Sequence, residues 1–223
     1  MHTPLHPRYS DKPEAQRARE LISACVHCGF CLATCPTYLD TRDERDSPRG
    51  RIYLVRQLLE TGEATAATQT HLDRCLSCRS CETTCPSGVA YGALADIGRG
   101  LLEQEVPRSP LPRTLRTLLR KTLTRPALFG SLLRLGQWFR PILPGPLKRQ
   151  VPPRQKLPPL PQSRHERVML VLDGCVQSAA TPLTNAAARR VLDRLGISLV
   201  AVDSAGCCGA VNYHLGAHGD GLD

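Results

Sequence analysis

The feature that most constrains this chain is a cysteine run that occurs twice, each time with the spacing C-x2-C-x2-C-x3-C-P. The first copy contains Cys25, Cys28, Cys31, Cys35 and Pro36, and the second contains Cys75, Cys78, Cys81, Cys85 and Pro86. Three thiols at this spacing wrap a short loop around one small centre, with the backbone N–H groups of the loop pointing inward. Because proline then turns the chain away, we expect the fourth thiol of each run to reach a different centre.

This spacing is typical of bacterial ferredoxins, in which the run binds [4Fe-4S] clusters and its fourth Cys ligates the cluster of the other run. We therefore predict two [4Fe-4S] clusters with crossed ligation. The predicted ligands of cluster 1 are Cys25, Cys28, Cys31 and Cys85. The predicted ligands of cluster 2 are Cys75, Cys78, Cys81 and Cys35.

Zinc and disulfides are the alternative uses of these cysteines. Zinc sites use paired C-x2-C knuckles or Cys/His mixtures with four ligands per metal, which leaves the third and fourth Cys of each run unexplained. Disulfides fit less well, because the chain has eleven cysteines and its first residues, 1–8, contain no apolar secretory segment. A zinc-stabilised basic scaffold that binds nucleic acid stays open at this point, and iron, sulfide and zinc analysis would distinguish it.

The net charge of +9 comes from one segment. Residues 108–167 contain 14 Lys and Arg against the single acid Glu166, and the rest of the chain is slightly acidic. The three Phe, five Tyr and one Trp are not interleaved with that charge, which disfavours a stacking platform for nucleic acid. Twelve of the nineteen prolines lie within 107–161, so we predict a linker whose flanks, 107–112 and 141–161, are irregular.

Between those flanks the linker predicts basic amphipathic helices. Four leucines share one face and four basic residues lie on the others: Leu115, Leu118, Leu119 and Leu123, and Arg113, Arg116, Arg120 and Lys121. Such a face can dock on an acidic partner, lie on an anionic membrane, or pack on the rest of the chain. No stretch is long enough to cross a bilayer, so we expect a cytoplasmic protein, with peripheral contact at the inner face of the membrane or with a quinone as a further expectation.

The segments around the cysteine runs predict helices. Apolar spacing and capping residues place them at 11–24, at 47–62 with Ser47 as the N-cap and Gly62 at the end, at 66–74, and from Leu94 to about Glu105. By analogy alone, such a helical two-cluster domain is similar to the iron-sulfur subunits of the succinate dehydrogenase type. We expect it to span 1–106.

The last part of the chain predicts a β-α-β unit. Val168–Leu172 reads as a buried strand, a helix runs from Thr181-Pro182 to Gly196, and Ile197–Val202 reads as a second, parallel strand. Cys175 and the turn Gly206-Cys207-Cys208-Gly209 should then meet beyond the carboxyl ends of the strands, as an incomplete third site. The predicted fold is mainly α: a helical bis-[4Fe-4S] domain (1–106), a basic proline-rich linker (107–166) and a partial α/β module (167–223).

Together these features resemble the cysteine-rich (CCG) electron-transfer family: two cysteine runs, a proline-rich bridge, and a Cys followed 32 positions later by Cys-Cys-Gly. That family includes the iron-sulfur subunits of glycolate oxidase, anaerobic glycerol-3-phosphate dehydrogenase, lactate utilisation and heterodisulfide reductase. The chain is most similar to the glycolate oxidase iron-sulfur subunits, in the stretches 25–31, 47–53, 71–78, 191–197 and 205–214.

The resemblance implies a function. A partner flavin subunit would oxidise glycolate to glyoxylate, and this subunit would relay the electrons to an acceptor without carrying a catalytic residue of its own. The other family members imply lactate, glycerol 3-phosphate or a disulfide as the alternative substrate. Chains of the family continue with more cysteines after Cys-Cys-Gly, whereas this one stops at Asp223, so the resemblance implies a C-terminal truncation that leaves the third site short of ligands.

Two side chains in the cysteine loops are candidates for adjusting a cluster. His27 precedes Cys28, and we interpret it either as a residue that adjusts the neighbouring cluster or as a structural side chain. Arg79 follows Cys78, and its charge would raise the potential of cluster 2 if it were close; the alternative is a solvated arginine.

Overall fold

The structure, a computed structural model, describes residues 2–162, 165–202 and 207–222. The chain divides into two compact units, residues 1–110 with 212–223, and residues 111–211. In the first unit the helices up to residue 110 are α1 (Pro13–Ser23), α2 (Pro36–Thr41), α3 (Pro48–Thr61), α4 (Ala66–Asp73), α5 (Ser80–Thr83) and α6 (Tyr91–Glu105). The remaining elements are α7 (Pro110–Leu123), α8 (Pro126–Phe139), α9 (Gly145–Gln150), β1 (Arg167–Val171), α10 (Gln177–Ala180), α11 (Leu183–Arg194), β2 (Ile197–Ala201), α12 (Ala210–His214) and α13 (His218–Leu222). The predicted fold class, mainly α with a small parallel sheet, is confirmed.

Helix α3 begins and ends where capping chemistry predicts. The Ser47 hydroxyl accepts a hydrogen bond from the Gly50 N–H at 2.9 Å, and Pro48 occupies the first turn, where no N–H is needed. Gly62 ends the helix at φ +74°, a left-handed conformation that glycine adopts at little cost. The helix therefore presents one fixed face to the space between the two cysteine runs.

The core of the first unit lies among α1, α3, α4 and α6. Their apolar stripes are buried as the spacing predicts, with Ala18, Leu21, Ile22, Ile52, Val55, Leu58, Leu59, Leu72, Leu94 and Leu101 among the buried side chains. Helices α3 and α6 approach closely at Gly98, where a Cβ atom would lie 2.6 Å from Val55 Cγ2. This core anchors the start and end of each cysteine loop.

Residues 212–222 complete the first unit. His214 Nδ1 lies 2.9 Å from Asp96 Oδ1, and the Arg99 guanidinium donates to the His214 carbonyl at 3.4 Å. The imidazole of His218 packs over Gly100 of α6. The sequence had predicted no element here, because two five-residue helices are too short to leave a periodic pattern.

The proline-rich segment of the second unit is more helical than expected. The prediction of irregular flanks at 107–112 and 141–161 is wrong in part, because α7 begins at Pro110 and α9 covers Gly145–Gln150. Proline is compatible with the first turn of a helix, where its missing N–H would have no intrahelical partner. Helix α8 packs on α10, with Gly130 facing Ala179.

Strands β1 and β2 pair in parallel, with Arg167 opposite Ile197 and Val171 opposite Ala201. Parallel pairing is as predicted, but the expectation that β1 is buried is wrong, because Val168 is 54 % and Leu170 71 % exposed. The reason is that the sheet has two strands within the described residues, and α11 packs mainly on β2. Gly206, part of the predicted turn, lies outside the described residues.

Two further observations concern surfaces. Among the described residues no helix combines the length and apolarity needed to span a bilayer. The apolar face of α7 is exposed, with Leu111, Leu115 and Leu118 all more than half accessible to solvent.

Candidate metal centres

The two cysteine loops repeat the same backbone conformation. The residues on either side of the second Cys have positive φ in both runs: His27 (+56°) and Gly29 (+82°) in the first, and Ser77 (+52°) and Arg79 (+59°) in the second. Left-handed residues that alternate with right-handed ones turn successive N–H groups toward one side and form an anion-binding concavity. Three of these four residues carry a Cβ atom, which makes the conformation costly and shows how strongly the surrounding fold imposes it.

A first cleft brings thiols from both runs together. It is lined by Cys25, Cys28 and Cys31 of the first run and by Cys85 of the second, with Cys81 also at its wall. Proline and aliphatic side chains form much of the remaining wall: Val26, Pro48, Ile52, Pro86 and Val89.

A second cleft repeats the arrangement with the runs exchanged. It is lined by Cys75, Cys78 and Cys81 of the second run and by Cys35 of the first. Tyr91 lies at the wall of both clefts, and its hydroxyl donates to Cys75 Sγ at 3.7 Å. The structure thus places each fourth Cys beside the three leading thiols of the opposite run.

The donor set suits an iron-sulfur cubane. All eleven cysteines are free thiols. Each cleft is lined by three thiols of one run and the fourth thiol of the other, which is the ligand type and number that a [4Fe-4S] cluster requires. His27 Nε2 lines the first cleft and is buried without a hydrogen-bond partner among the described residues. A zinc site built from the C-x2-C pairs would leave the third and fourth Cys of each run unused, so zinc fits this donor set less well.

The buried thiols hold their protons tightly when no metal is bound. Burial, with the neighbouring Cys75 thiol as the next cause, raises the pKa of Cys81 to about 12. Burial also raises the pKa of Cys31. The pKa of the exposed Cys78 is instead lowered, because the Ser80 backbone N–H at the start of α5 donates to its sulfur. Binding a cluster would therefore displace protons mainly from the inner thiols.

The two loop residues singled out in the sequence differ in environment. The pKa of His27 is lowered, first by burial and then by the nearby Arg49 guanidinium, so this imidazole favours its neutral form. Arg79 is 65 % exposed in its side chain and forms an ion pair with Glu82 at 2.9 Å. Its charge is therefore largely offset and screened.

A buried polar network behind the second cleft was not predicted. Asp46 is fully buried, and its carboxylate contacts His71 Nδ1 at 2.9 Å, Arg74 Nη1 at 2.8 Å and Arg51 Nη2 at 3.5 Å. The Arg51 guanidinium also donates to the His71 carbonyl at 2.7 Å. The sequence contains one indication of this network. Arg51 lies one turn before Val55, so a charged residue interrupts the apolar face of α3.

The same network reaches a predicted ligand. Both terminal nitrogens of Arg51 lie 3.2 Å from the Thr37 hydroxyl, which is itself 3.2 Å from Cys35 Sγ. The Thr37 hydroxyl donates to the Asp46 carbonyl at 2.9 Å. One hydroxyl therefore separates a buried guanidinium from the predicted ligand Cys35.

Arg99 holds the second cysteine loop from the other side. Its guanidinium donates to the carbonyls of Cys75 at 2.5 Å and Leu72 at 3.1 Å and to the Ser77 hydroxyl at 2.8 Å. These contacts fix the carbonyls that lead into the loop, and Asp96 lies 3.8 Å away as the counter-charge.

Asp43, Asp46 and His71 have ligand atoms within 4.8 Å of one another. Asp46 already shares its two oxygens among an imidazole and two guanidinium groups. Cationic partners oppose a metal ion at this position, so the group is an ion-pair network.

The three remaining cysteines meet in the second unit. The pKa of Cys175 is raised by burial and by a side-chain hydrogen bond with Cys207, and Cys208 is close enough to add to the shift. Three thiols are one short of a complete tetrahedral set, and an incomplete third metal site stays a prediction.

Comparison with protein-family models gives two matches. Residues 21–89 match a 4Fe-4S dicluster domain, and residues 169–222 match a cysteine-rich domain. The first match contains both cysteine runs and all the cysteines that line the two clefts. The second contains Cys175, Cys207 and Cys208.

Comparison with curated proteins gives relatives over most of the chain. The chain is 54 % identical over 224 residues to the glycolate oxidase iron-sulfur subunit of Escherichia coli (strain K12), covering 100 % of this chain and 55 % of that protein. It is 30 % identical over 235 residues to the probable glycolate oxidase iron-sulfur subunit of Bacillus subtilis (strain 168), covering 92 % of this chain and 52 % of that protein. The chain thus spans about half the length of the curated relatives it matches.

No solved structure gives a significant match to the chain. The resemblance inferred from the cysteine motifs is confirmed by the matches to both domains and by the identity over the whole chain. The chain is therefore similar over its whole length to the glycolate oxidase iron-sulfur subunit of Escherichia coli (strain K12), and it contains a 4Fe-4S dicluster domain followed by a cysteine-rich domain.

Proposed function

We propose that the chain relays electrons within a 2-hydroxyacid dehydrogenase complex, from a flavin in a partner subunit to an acceptor such as a quinone. The observation that carries this proposal is the pair of clefts, each lined by three thiols of one cysteine run and the fourth thiol of the other. Glycolate is the proposed substrate of the partner because the relative with 54 % identity is a glycolate oxidase subunit.

The proposal assigns four thiolates to each of two [4Fe-4S] clusters. Cys25, Cys28, Cys31 and Cys85 would hold cluster 1, and Cys75, Cys78, Cys81 and Cys35 would hold cluster 2. The two clefts share a wall, because Cys81 and Tyr91 border both. Two centres on either side of one wall would be close enough to exchange electrons directly.

The electron count supports a chain of one-electron centres. Oxidation of glycolate to glyoxylate removes two electrons and two protons, and the partner flavin would take up both electrons. A bound cubane carries one electron at a time, so the flavin would be reoxidised in two single-electron steps. The residues of this chain hold the clusters, shield them from water on the inner side, and set their potentials by charge and hydrogen bonding.

The test is reconstitution followed by assay of the assembled complex. The full chain is loaded with iron and sulfide under anaerobic conditions, and iron, sulfide and zinc are measured. About eight iron and eight sulfide per chain, with negligible zinc, are the result expected for two cubanes. Zinc in place of iron would overturn the proposal and favour the basic scaffold.

The substrate is tested separately from the clusters. Co-purification with the flavin subunits, followed by dye reduction with glycolate, lactate or glycerol 3-phosphate, shows which compound feeds electrons into the clusters. We expect glycolate to reduce the clusters fastest. Reduction by lactate or glycerol 3-phosphate instead would leave the relay in place and assign the complex to another branch of the family.

The basic face of α7 is the proposed docking surface for an acidic partner subunit. Arg113, Arg116, Arg120 and Lys121 supply the charge, and Leu111, Leu115 and Leu118 are exposed beside them. Charge of one sign next to exposed leucine is the pattern of an interface that is steered electrostatically and then buries apolar surface. Binding to an anionic membrane is the competing outcome.

A further inference from the structure

The two clefts differ in the charges around them. Arg51 lines the second cleft, and its guanidinium is almost completely buried, with the side chain 2 % exposed. Arg49, two residues earlier on the same helix, lines the first cleft, with its side chain 33 % exposed. Helix α3 therefore places one arginine at each predicted cluster, but in different dielectric surroundings.

The counter-charges differ as well. Arg49 has Glu44 at 2.8 Å, which makes a balanced pair. Arg51 shares the single carboxylate of Asp46 with Arg74. Two guanidinium groups against one carboxylate leave an excess of positive charge behind the second cleft, before any contribution from His71.

The other charges at the second cleft do not cancel that excess. Arg79 is paired with Glu82 at 2.9 Å, and Arg99 has Asp96 at 3.8 Å. Each of these pairs is balanced by itself. The excess therefore belongs to the group formed by Arg51, Arg74 and Asp46.

We propose that Arg51 raises the reduction potential of the cluster in the second cleft above that of the cluster in the first, so that electrons move from the first cleft to the second. This inference rests on the proposed electron relay. Reduction adds one negative charge to a cubane, and a buried positive charge stabilises the reduced form more than the oxidised form. Burial matters because an exposed charge is screened, whereas a buried one acts through a low effective dielectric.

The contact between Arg51 and Thr37 places the buried charge close to a predicted ligand of the second-cleft cluster. The Thr37 hydroxyl accepts from Arg51 and lies 3.2 Å from Cys35 Sγ, while its own proton is donated to the Asp46 carbonyl. One hydroxyl oxygen therefore separates the guanidinium from a ligand sulfur, and in a buried site the charge acts across that short distance with little screening.

The experiment is a redox titration of the reconstituted full chain, followed by electron paramagnetic resonance. Signals are assigned to the two clefts with Cys28→Ser and Cys78→Ser, each of which disturbs one cluster. In Arg51→Gln we expect the potential of the second-cleft cluster to fall enough to shift the electron distribution between the clusters at least tenfold, which is 59 mV for a one-electron couple. Arg51→Lys retains the charge, so we expect it to restore most of the wild-type potential.

Arg49→Gln is the matched control on the same helix. We expect it to change the first-cleft potential and to leave that of the second cleft in place. If Arg51→Gln contains the full complement of iron but leaves the second-cleft potential unchanged, or lowers both potentials equally, the inference is overturned.

If Arg51→Gln does not fold, a second variant, Arg74→Gln, tests the same inference. Arg74 is 49 % exposed in its side chain and belongs to the same charge group, so Arg74→Gln removes one positive charge and leaves the buried Arg51 in place. We expect a fall in the second-cleft potential in the same direction but smaller, and no shift would overturn the inference. Failure of the wild-type chain to take up iron would instead refute the proposed function. The failure of the proposed function is therefore distinguishable from the failure of this inference.

Discussion

Cys85 lines the same cleft as Cys28, although Cys85 closes the second cysteine run and Cys28 belongs to the first. Its counterpart Cys35 lines the cleft of the second run. We therefore expect Cys85→Ser to damage the cluster held by the first run, although Cys85 is closer in sequence to the second. Cys35→Ser is the matched variant, and we expect the converse.

The measurement is the electron paramagnetic resonance of both clusters in each reduced variant, with iron content measured in parallel. About half of the iron should be lost or become labile in each case, and the surviving signal should differ between the two variants. If both variants lose the signal of the run to which the substituted Cys belongs, the ligation is not crossed.

The left-handed residue after the second Cys gives a prediction about stability. Gly29 has φ +82°, and a Cβ atom there would lie 2.9 Å from Arg49 Nη1. Since a left-handed residue with a Cβ atom costs about 1–2 kcal/mol, we expect Gly29→Ala to lower the free energy of unfolding by roughly that amount. Chemical denaturation of the cluster-loaded chain, followed by far-ultraviolet circular dichroism, measures it.

Arg79 is the control because it occupies the equivalent position of the second run at φ +59°. Arg79→Gly removes a left-handed side chain together with an exposed ion pair that is worth little. We expect almost no loss of stability. A loss as large as that of Gly29→Ala would mean that the side chain of Arg79, rather than its backbone, matters to the loop.

Much of the fold followed from local signals. The start of α3 at Ser47-Pro48 and its end at Gly62 followed from capping chemistry, and parallel pairing of β1 and β2 followed from the β-α-β pattern. The exposure of β1 could not be predicted, because burial depends on what covers a strand rather than on the strand's own sequence. The start of α7 at Pro110 and the whole of α9 were missed, because proline is compatible with the first turn of a helix as well as with a linker.

The candidate site was predictable in part: the cysteines of each cleft were predicted, and the polar network behind the second cleft was not. The cysteine spacing predicted which thiols would share a cleft, since the geometry of each loop is local and repeated. The network behind the second cleft was not predictable, because Asp46, Arg51 and His71 come from three segments and meet only in the folded chain. The arginine on the apolar face of α3 was the indication of this network in the sequence.

Asp46 gives a prediction about stability and pH. Its carboxylate is buried against cationic partners, and loss of one partner of a buried ion pair costs about 3–5 kcal/mol. We expect Asp46→Asn to lower the free energy of unfolding by about that amount at pH 7. Asp43→Asn, three residues before Asp46, affects a surface pair with Arg45 and should change the free energy of unfolding little.

The pH dependence has a definite sign. Burial opposes ionisation of Asp46, but the hydrogen bonds from His71 and Arg74 outweigh it and hold the pKa below the ordinary value of 3.8. A lowered carboxyl pKa stabilises the fold above the ordinary value, and this contribution is lost as the pH falls through the pKa of the folded state. The stability difference between wild type and Asp46→Asn should therefore shrink below about pH 4, and a difference that grows there would contradict this assignment.

The basic face of α7 gives a prediction about assembly. Replacing Arg113, Arg116 and Lys121 by Gln removes three positive charges beside the exposed Leu115 and Leu118. Because rim charges mainly accelerate association, and their effect is screened by salt, we expect weaker co-purification with the proposed flavin subunits at low salt and a smaller difference at high salt. Iron content should be unchanged, since these residues lie outside both clefts.

Two controls distinguish docking of a partner subunit from binding to an anionic membrane. Arg17→Gln removes a charge from the exposed pair with Glu20 on α1 and should not alter co-purification. Vesicles with and without anionic lipid test the membrane alternative, in which the triple variant would lose vesicle binding but keep its partner subunits. Retention of both partners and vesicles by the triple variant would show that the charge of α7 serves neither contact.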